Sequence, residues 1–301
     1  MPLVCIYHQD ELELVEPEFF LHAHNWNLLD YPAELKNFRI NETTNSFSID
    51  LDGKALSNQG FMDVSENDLI RWLDRELRQP DILQAQLIKY LSILIKKLIQ
   101  QANISLTGLV RNKFPLSKAI AEQIKLHRKK AQKEGYQESL FGNDTKACIS
   151  DQFQYSFRPE HYPSRQPYYT GRYEFQKHFF PQNLIEDLKA KGEEFECAQA
   201  IDGLPQVEFW IRNLVRRDQA SFWLPLAHGK FYPDFICQLK DGRMLIVEYK
   251  GEAYVSNDDS AEKRAIGEKW AELGGENYLF IMAVEKDAQG RDVRQQILDL
   301  I

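Results

Sequence analysis

Apolar and polar positions change their spacing several times along this chain, and each change marks an element. Residues 38–56, FRINETTNSFSIDLDGKAL, alternate apolar with polar positions around a turn at Asp52-Gly53. That pattern predicts a strand pair in an otherwise irregular start. From Ser65 the apolar residues recur at helical spacing. Ser65 heads SENDLIRWLDREL, whose first turn is acidic, and Pro80 interrupts it. DILQAQLIKYLSILIKKLIQQ follows, with Leu87, Leu91, Leu94 and Leu98 near one face, and a third helix is predicted from about Leu116 towards Lys133. Residues 142–170 lose any period and are rich in Pro, Tyr, Ser and Gln. Beyond Gly171 the pattern is that of mixed helices and strands. Helices are predicted over 184–202, with a break at Gly192, and over 207–217. Strands are predicted over 221–226, 232–239 and 243–249. A helix over 259–273 stops at Gly274-Gly275 and is followed by a buried strand, NYLFIMAV, and a short closing helix.

These elements predict an α/β (α+β) chain in three parts. Residues 1–141 form a mainly helical region with a short N-terminal strand pair, 142–170 a connecting segment, and 171–301 a mixed sheet flanked by helices.

Composition narrows the classes. The chain has 301 residues, 43% hydrophobic and 27% charged, as in a globular protein. No apolar run approaches the roughly 18–20 residues that span a bilayer, so no membrane partner is expected. MPLVCIYHQDELELVEPEFF has neither a basic start nor a long apolar run and does not read as a signal peptide. The four cysteines are scattered, with no CxxC pair, which fits a reducing cytoplasm better than a zinc ribbon or a disulfide framework. The net charge of −8 weighs against a nucleic-acid partner. Its distribution is uneven, however: residues 1–70 are acidic and 111–133 are basic.

The chemistry concentrates in FYPDFICQLKDGRMLIVEYKG, residues 231–251. Pro233-Asp234 is followed, after thirteen residues, by Glu248-Tyr249-Lys250. Side chains alternate along a strand, so Glu248 and Lys250 share a face. The register of the hairpin decides whether Asp234 joins them. A two-residue loop at Asp241-Gly242 sets Glu248 opposite Phe235 and turns Asp234 away. A three-residue loop, Lys240-Asp241-Gly242, sets Glu248 opposite Asp234 and places Gly242 where a left-handed residue is needed. The three-residue loop, with Leu239 paired to Arg243, is the expectation. Two carboxylates, one ammonium and the Tyr249 carbonyl then converge, a small oxygen set that suits Mg²⁺ with several waters retained. Such an ion polarises a phosphate and acidifies water, while Lys250 positions that water and offsets transition-state charge. The bland alternative makes Asp234, Glu248 and Lys250 solvent-facing strand-end residues; the apolar run Leu245-Ile246-Val247 argues for a buried strand instead.

This Pro-Asp, Glu-x-Lys pattern across a hairpin, followed by helix and strand, resembles the PD-(D/E)xK nuclease superfamily. Within it, GEEFECAQAIDGLPQVEFWIRNL, SFWLPL and the 231–251 segment resemble the C-terminal endonuclease domain of the restriction subunit of Type III restriction enzymes. WNLLDYPAEL, RWLDREL and DILQAQLIKYL resemble more loosely the region between that subunit's motor and its nuclease. The resemblance implies a restriction-endonuclease-like core, cleavage of double-stranded DNA with metal-activated water, and a methyltransferase/specificity subunit as partner. It also implies an acidic residue on the helix before the core strands. Glu194 shares a face with Ala198 and Ile201 and is chosen, with Glu196 as competitor. An ATPase motor is absent from this chain, which has no GxxxxGK[ST]. A piece of a larger enzyme, or a non-catalytic remnant that binds DNA or docks a subunit, both fit that absence.

Arg212, Arg216 and Arg217, near the site in sequence, and Lys263, Arg264 and Lys269, on the helix after it, are the candidate DNA-backbone contacts. The basic stretch 111–133 fits a solvated helix face equally well. Trp210, Trp223 and Tyr232 are expected in the core.

Overall fold

The computed structural model describes residues 1–8, 11–36, 38–40, 64–158, 160, 162, 168–181, 185, 188–189, 192–217, 220–251 and 258–301. The strand pair expected over 38–56 lies almost wholly outside them. Along the chain the elements are β1 (Pro2–His8), β2 (Glu11–Leu14), α1 (Phe19–Ala23), α2 (Glu66–Leu77), α3 (Gln84–Gln100), α4 (Leu106–Arg111), α5 (Lys113–Phe141) and β3 (Ala147–Gln154). Then come α6 (Glu193–Asp202), β4 (Val207–Arg212), β5 (Leu224–Leu226), β6 (Gly229–Phe231), β7 (Phe235–Leu239), β8 (Met244–Lys250), α7 (Asp258–Gly274), β9 (Tyr278–Val284) and α8 (Val293–Leu298). Helices and mixed sheets together make this an α+β chain. No helix among the described residues is long and apolar enough to cross a membrane.

The chain divides into two units, Phe20–Gly135 and Met1–Phe19 with Tyr136–Ile301. The expected division at residue 142 is therefore corrected. Residues 147–154, assigned to a connector, form β3 and pair antiparallel with β1, Cys5 facing Cys148. Periodicity reports local structure only, and this pairing joins segments more than a hundred residues apart.

The Phe20–Gly135 unit is helical, as its spacing predicts. Ser65 caps α2 in a reciprocal box: its Oγ accepts from Asp68 N at 3.3 Å, and its own N–H donates to Asp68 Oδ2 at 2.9 Å. Leu87, Leu91, Leu94 and Leu98 are all buried, on a core shared with Leu69, Leu73, Leu116, Ile120 and Ile124. Several cations of the basic stretch are tied to neighbouring carboxylates, Arg128 to Asp81 at 2.7 Å and Lys130 to Glu134 at 3.7 Å. That pairing favours a solvated structural face over a phosphate track.

In the other unit the central sheet has the order β4-β7-β8-β9, with β8 and β9 parallel and the other pairs antiparallel. One face carries Trp210, Phe235, Cys237, Leu245 and Val247 against Ala198 and Ile201 of α6 and Val293 and Ile297 of α8. α7 covers the opposite face, where a Cβ at Gly267 would stand 2.4 Å from the Phe280 ring, so only glycine permits this approach.

Two expected helices are corrected. Residues 207–212 form strand β4, because Val207, Phe209, Trp210 and Ile211 prefer a pleated, buried surface and find β7 as partner. The helix expected from 184 begins only after Gly192, its N-cap. Its last residue, Asp202, is buried and accepts from Trp210 Nε1 at 2.9 Å, Lys177 N at 2.9 Å, Gln176 N at 3.0 Å and Tyr173 OH at 3.2 Å. Asp202→Ala strands these donors and is expected to lower the unfolding free energy by about 3 kcal/mol. A urea titration measures it; a loss below about 1 kcal/mol would mean that water replaces the carboxylate.

Candidate active site

The β7–β8 hairpin has the three-residue loop. Leu239 N donates to Arg243 O at 2.8 Å and Gly242 N to Leu239 O at 3.0 Å. Gly242 has φ +94°, the conformation that favours glycine there. Phe235 consequently faces Val247, and continuing that register by one residue sets Asp234 opposite Glu248. Had the loop been two residues long, every side chain of β8 would have changed partner by one.

Glu248 is 4% exposed. Its Oε1 accepts from Lys250 Nζ at 2.9 Å, and Lys263 Nζ lies 3.9 Å from the same oxygen. Glu248 Oε2 is buried and has no hydrogen-bond partner among the described residues. Burial, and next the charge of Asp234, push the Glu248 carboxyl up to about 8, although Lys250 and Lys263 pull the other way. Burial works against the Lys250 ammonium, but the Glu248 carboxylate outweighs it and the net displacement is upward.

Asp234 is fixed from two sides. Tyr249 N donates to its Oδ2 at 2.8 Å and Arg212 Nη1 to its Oδ1 at 3.0 Å. The N–H and C=O of a strand residue point to the same strand edge, so the Tyr249 carbonyl is aimed to the Asp234 side, beyond the end of β7. Asn213 holds the adjoining backbone. Its Nδ2 donates to Pro233 O at 2.8 Å and Phe222 O at 2.9 Å, and its Oδ1 accepts from Phe222 N at 3.0 Å.

Arg212 is buried, and this corrects its expected place among the surface cations. Its guanidinium lies over the Phe235 ring, 5.0 Å from the centroid, and joins Asp234 on one side to Glu194 of α6 on the other. Glu194 thus reaches Asp234 through Arg212, and Glu196 is exposed. Among the other candidate backbone contacts, Arg216 is exposed and Arg217 half-buried. Lys269 is paired with Glu272 at 3.2 Å. Lys263 stands beside Glu248 and pairs with Asp259 at 3.0 Å. Its position was legible: Ser260, Lys263, Gly267 and Trp270 form one helical stripe, and a lysine in a sheet-facing stripe points to a buried acid. Trp210 is in the core as expected, while Trp223 and Tyr232 are half-buried.

Among the described residues no three His, Cys, Asp or Glu side chains cluster as a preformed metal cage. The donors present are two opposed carboxylates, one with an unpartnered buried oxygen, and a carbonyl at the same edge. That set suits a small hard cation that keeps most of its water, and would meet the orphaned Glu248 Oε2.

No family model, curated protein or solved structure matches this chain.

Proposed function

We propose that this chain is a Mg²⁺-dependent endodeoxyribonuclease with a PD-(D/E)xK core, which hydrolyses phosphodiester bonds of double-stranded DNA. The observation that carries the proposal is the hairpin register, which extended by one residue sets Asp234 opposite Glu248, with Lys250 on Glu248 and one Glu248 oxygen without a partner among the described residues. A carboxylate buried in this way is costly unless a cation or a proton joins it. Asp234, Glu248 and the Tyr249 carbonyl would hold Mg²⁺, which when bound supplies a Lewis acid for the phosphate and makes a water acidic.

The chain's own groups do the rest. Arg212 and the Tyr249 N–H set the direction of Asp234. Lys250 orients the attacking water and faces the charge that grows on the phosphate oxygens. Lys263 steadies Glu248 from the opposite helix. Glu194 orients Arg212 and so acts on Asp234 at one remove. By resemblance, the cellular setting is a Type III-like restriction system with a methyltransferase/specificity subunit, in the cytoplasm.

The test is plasmid nicking in Mg²⁺ and in EDTA by the chain and by its Lys250→Ala variant. Metal-dependent nicking is expected, reduced on the order of 10²–10³-fold in the variant. Nicking that Lys250→Ala leaves unchanged would overturn the assignment. No nicking in any metal, with DNA or subunit binding retained, would favour a non-catalytic docking module.

A further inference from the structure

The edge strand β9 runs parallel beside β8 in a register that sets Met282 next to Glu248 and Val284 next to Lys250. Neighbouring strands are about 4.8 Å apart, so whatever lies along Met282 and Val284 is one strand spacing from the candidate catalytic groups. Both residues line a cavity of about 500 Å³. Three cations border it: Arg264, Lys286 and Arg291. They are not equivalent. Arg291 is neutralised by Asp287 and Asp299, each at 2.7 Å. Arg264 donates to Met282 Sδ at 3.5 Å, a weak acceptor. Among the described residues, neither Arg264 nor Lys286 has a carboxylate at ion-pair distance. In a chain of net charge −8, Arg264 and Lys286 thus stand without a carboxylate partner among the described residues, at the open edge of the sheet and one strand from Glu248 and Lys250.

We infer that Arg264 and Lys286 form a phosphate subsite, holding the backbone phosphate next to the scissile one so that the DNA strand crosses the C-terminal end of β9. The inference rests on the nuclease reading and extends it to how the substrate is held. An arginine fork suits two phosphate oxygens, and lysine acts as a point charge. Lys263, adjacent to Arg264 in sequence, faces Glu248, so consecutive α7 residues serve neighbouring positions. In so acidic a chain, backbone binding depends on local groups of this kind, since the global field repels DNA.

The experiment measures binding of a fluorescent DNA duplex in EDTA, where no cleavage occurs, across a salt series. It compares the intact chain with the double variant Arg264→Gln, Lys286→Gln. A control, Lys240→Gln, removes a charge at the far end of the β7–β8 hairpin. Lys286 is exposed and Arg264 half-exposed, so both substitutions leave the core intact, which a thermal melt checks. The double variant is expected to bind roughly tenfold more weakly, and its log–log salt slope to be shallower by about 1.8, close to two phosphate contacts. The control keeps the wild-type slope. An unchanged slope in the double variant overturns the subsite. So does failure of the wild-type chain to bind duplex at low salt. Nicking by the wild-type preparation in Mg²⁺, and its loss in Lys250→Ala, decides the nuclease reading separately, whatever the binding series of the double variant returns.

Discussion

Glu248→Gln is expected to stabilise the metal-free protein at alkaline pH while removing its nicking activity. In the folded chain the Glu248 carboxyl is raised from 4.5 to about 8, chiefly by burial and then by Asp234. The folded state therefore holds a proton that the unfolded state releases over this range. Stability is fully present below pH 4.5 and declines as pH rises towards about 8. Glutamine carries no titrating charge, so the variant should lack that decline and melt higher than the wild type above pH 8. It keeps an oxygen able to accept from Lys250 but weakens the hold on a cation, and nicking should fall roughly 10³-fold. Thermal melts from pH 4 to 9 in EDTA, set beside nicking in Mg²⁺, measure both effects. Parallel pH profiles for the two proteins would mean that Glu248 stays ionised throughout. An active Gln variant would remove Glu248 from the metal site. Added Mg²⁺ should flatten the wild-type profile, because a bound cation replaces the proton.

The second large effect is expected at Arg212. Its guanidinium is buried against Phe235 and compensates Asp234 and Glu194 together. Arg212→Ala leaves Asp234, a mostly buried carboxylate, facing Glu248 with no cation of its own and removes the packing over the ring. Breaking a buried pair from one side costs about 3–5 kcal/mol, and a urea titration should return a value in that range. Arg212→Lys should recover less than half of it, because one ammonium cannot span both carboxylates as a planar fork does. Glu194→Gln should cost under about 1 kcal/mol, since Glu194 is half-exposed. If alanine at 212 proves as mild as glutamine at 194, the three residues are not one unit.

Most local structure was legible in the chain itself. α2 with its Ser65 cap, the leucine stripe of α3, α7 ending at Gly274 and the position of strand β9 follow from spacing and punctuation, because each depends on residues a few positions apart; β9, expected to be buried, is an edge strand with only Phe280 and Ala283 buried. The hairpin register was legible for the same reason. Gly242, three residues after Leu239, selects the loop, and the loop alone brings Asp234 opposite Glu248. Tertiary structure decided the rest. Strand β4 was mistaken for a helix because its pattern is set by pairing with β7 and burial on both faces near its end, which no local period records. β1 joins the C-terminal unit through β3 for the same reason. Arg212 looked like a surface cation near the site; only the packed fold shows it between Glu194 and Asp234. In charge and size an arginine that meets phosphate and one that meets a buried carboxylate are the same residue. What separates them is whether α6 and β7 close over the guanidinium, and that depends on contacts between segments eighteen and twenty-two positions away.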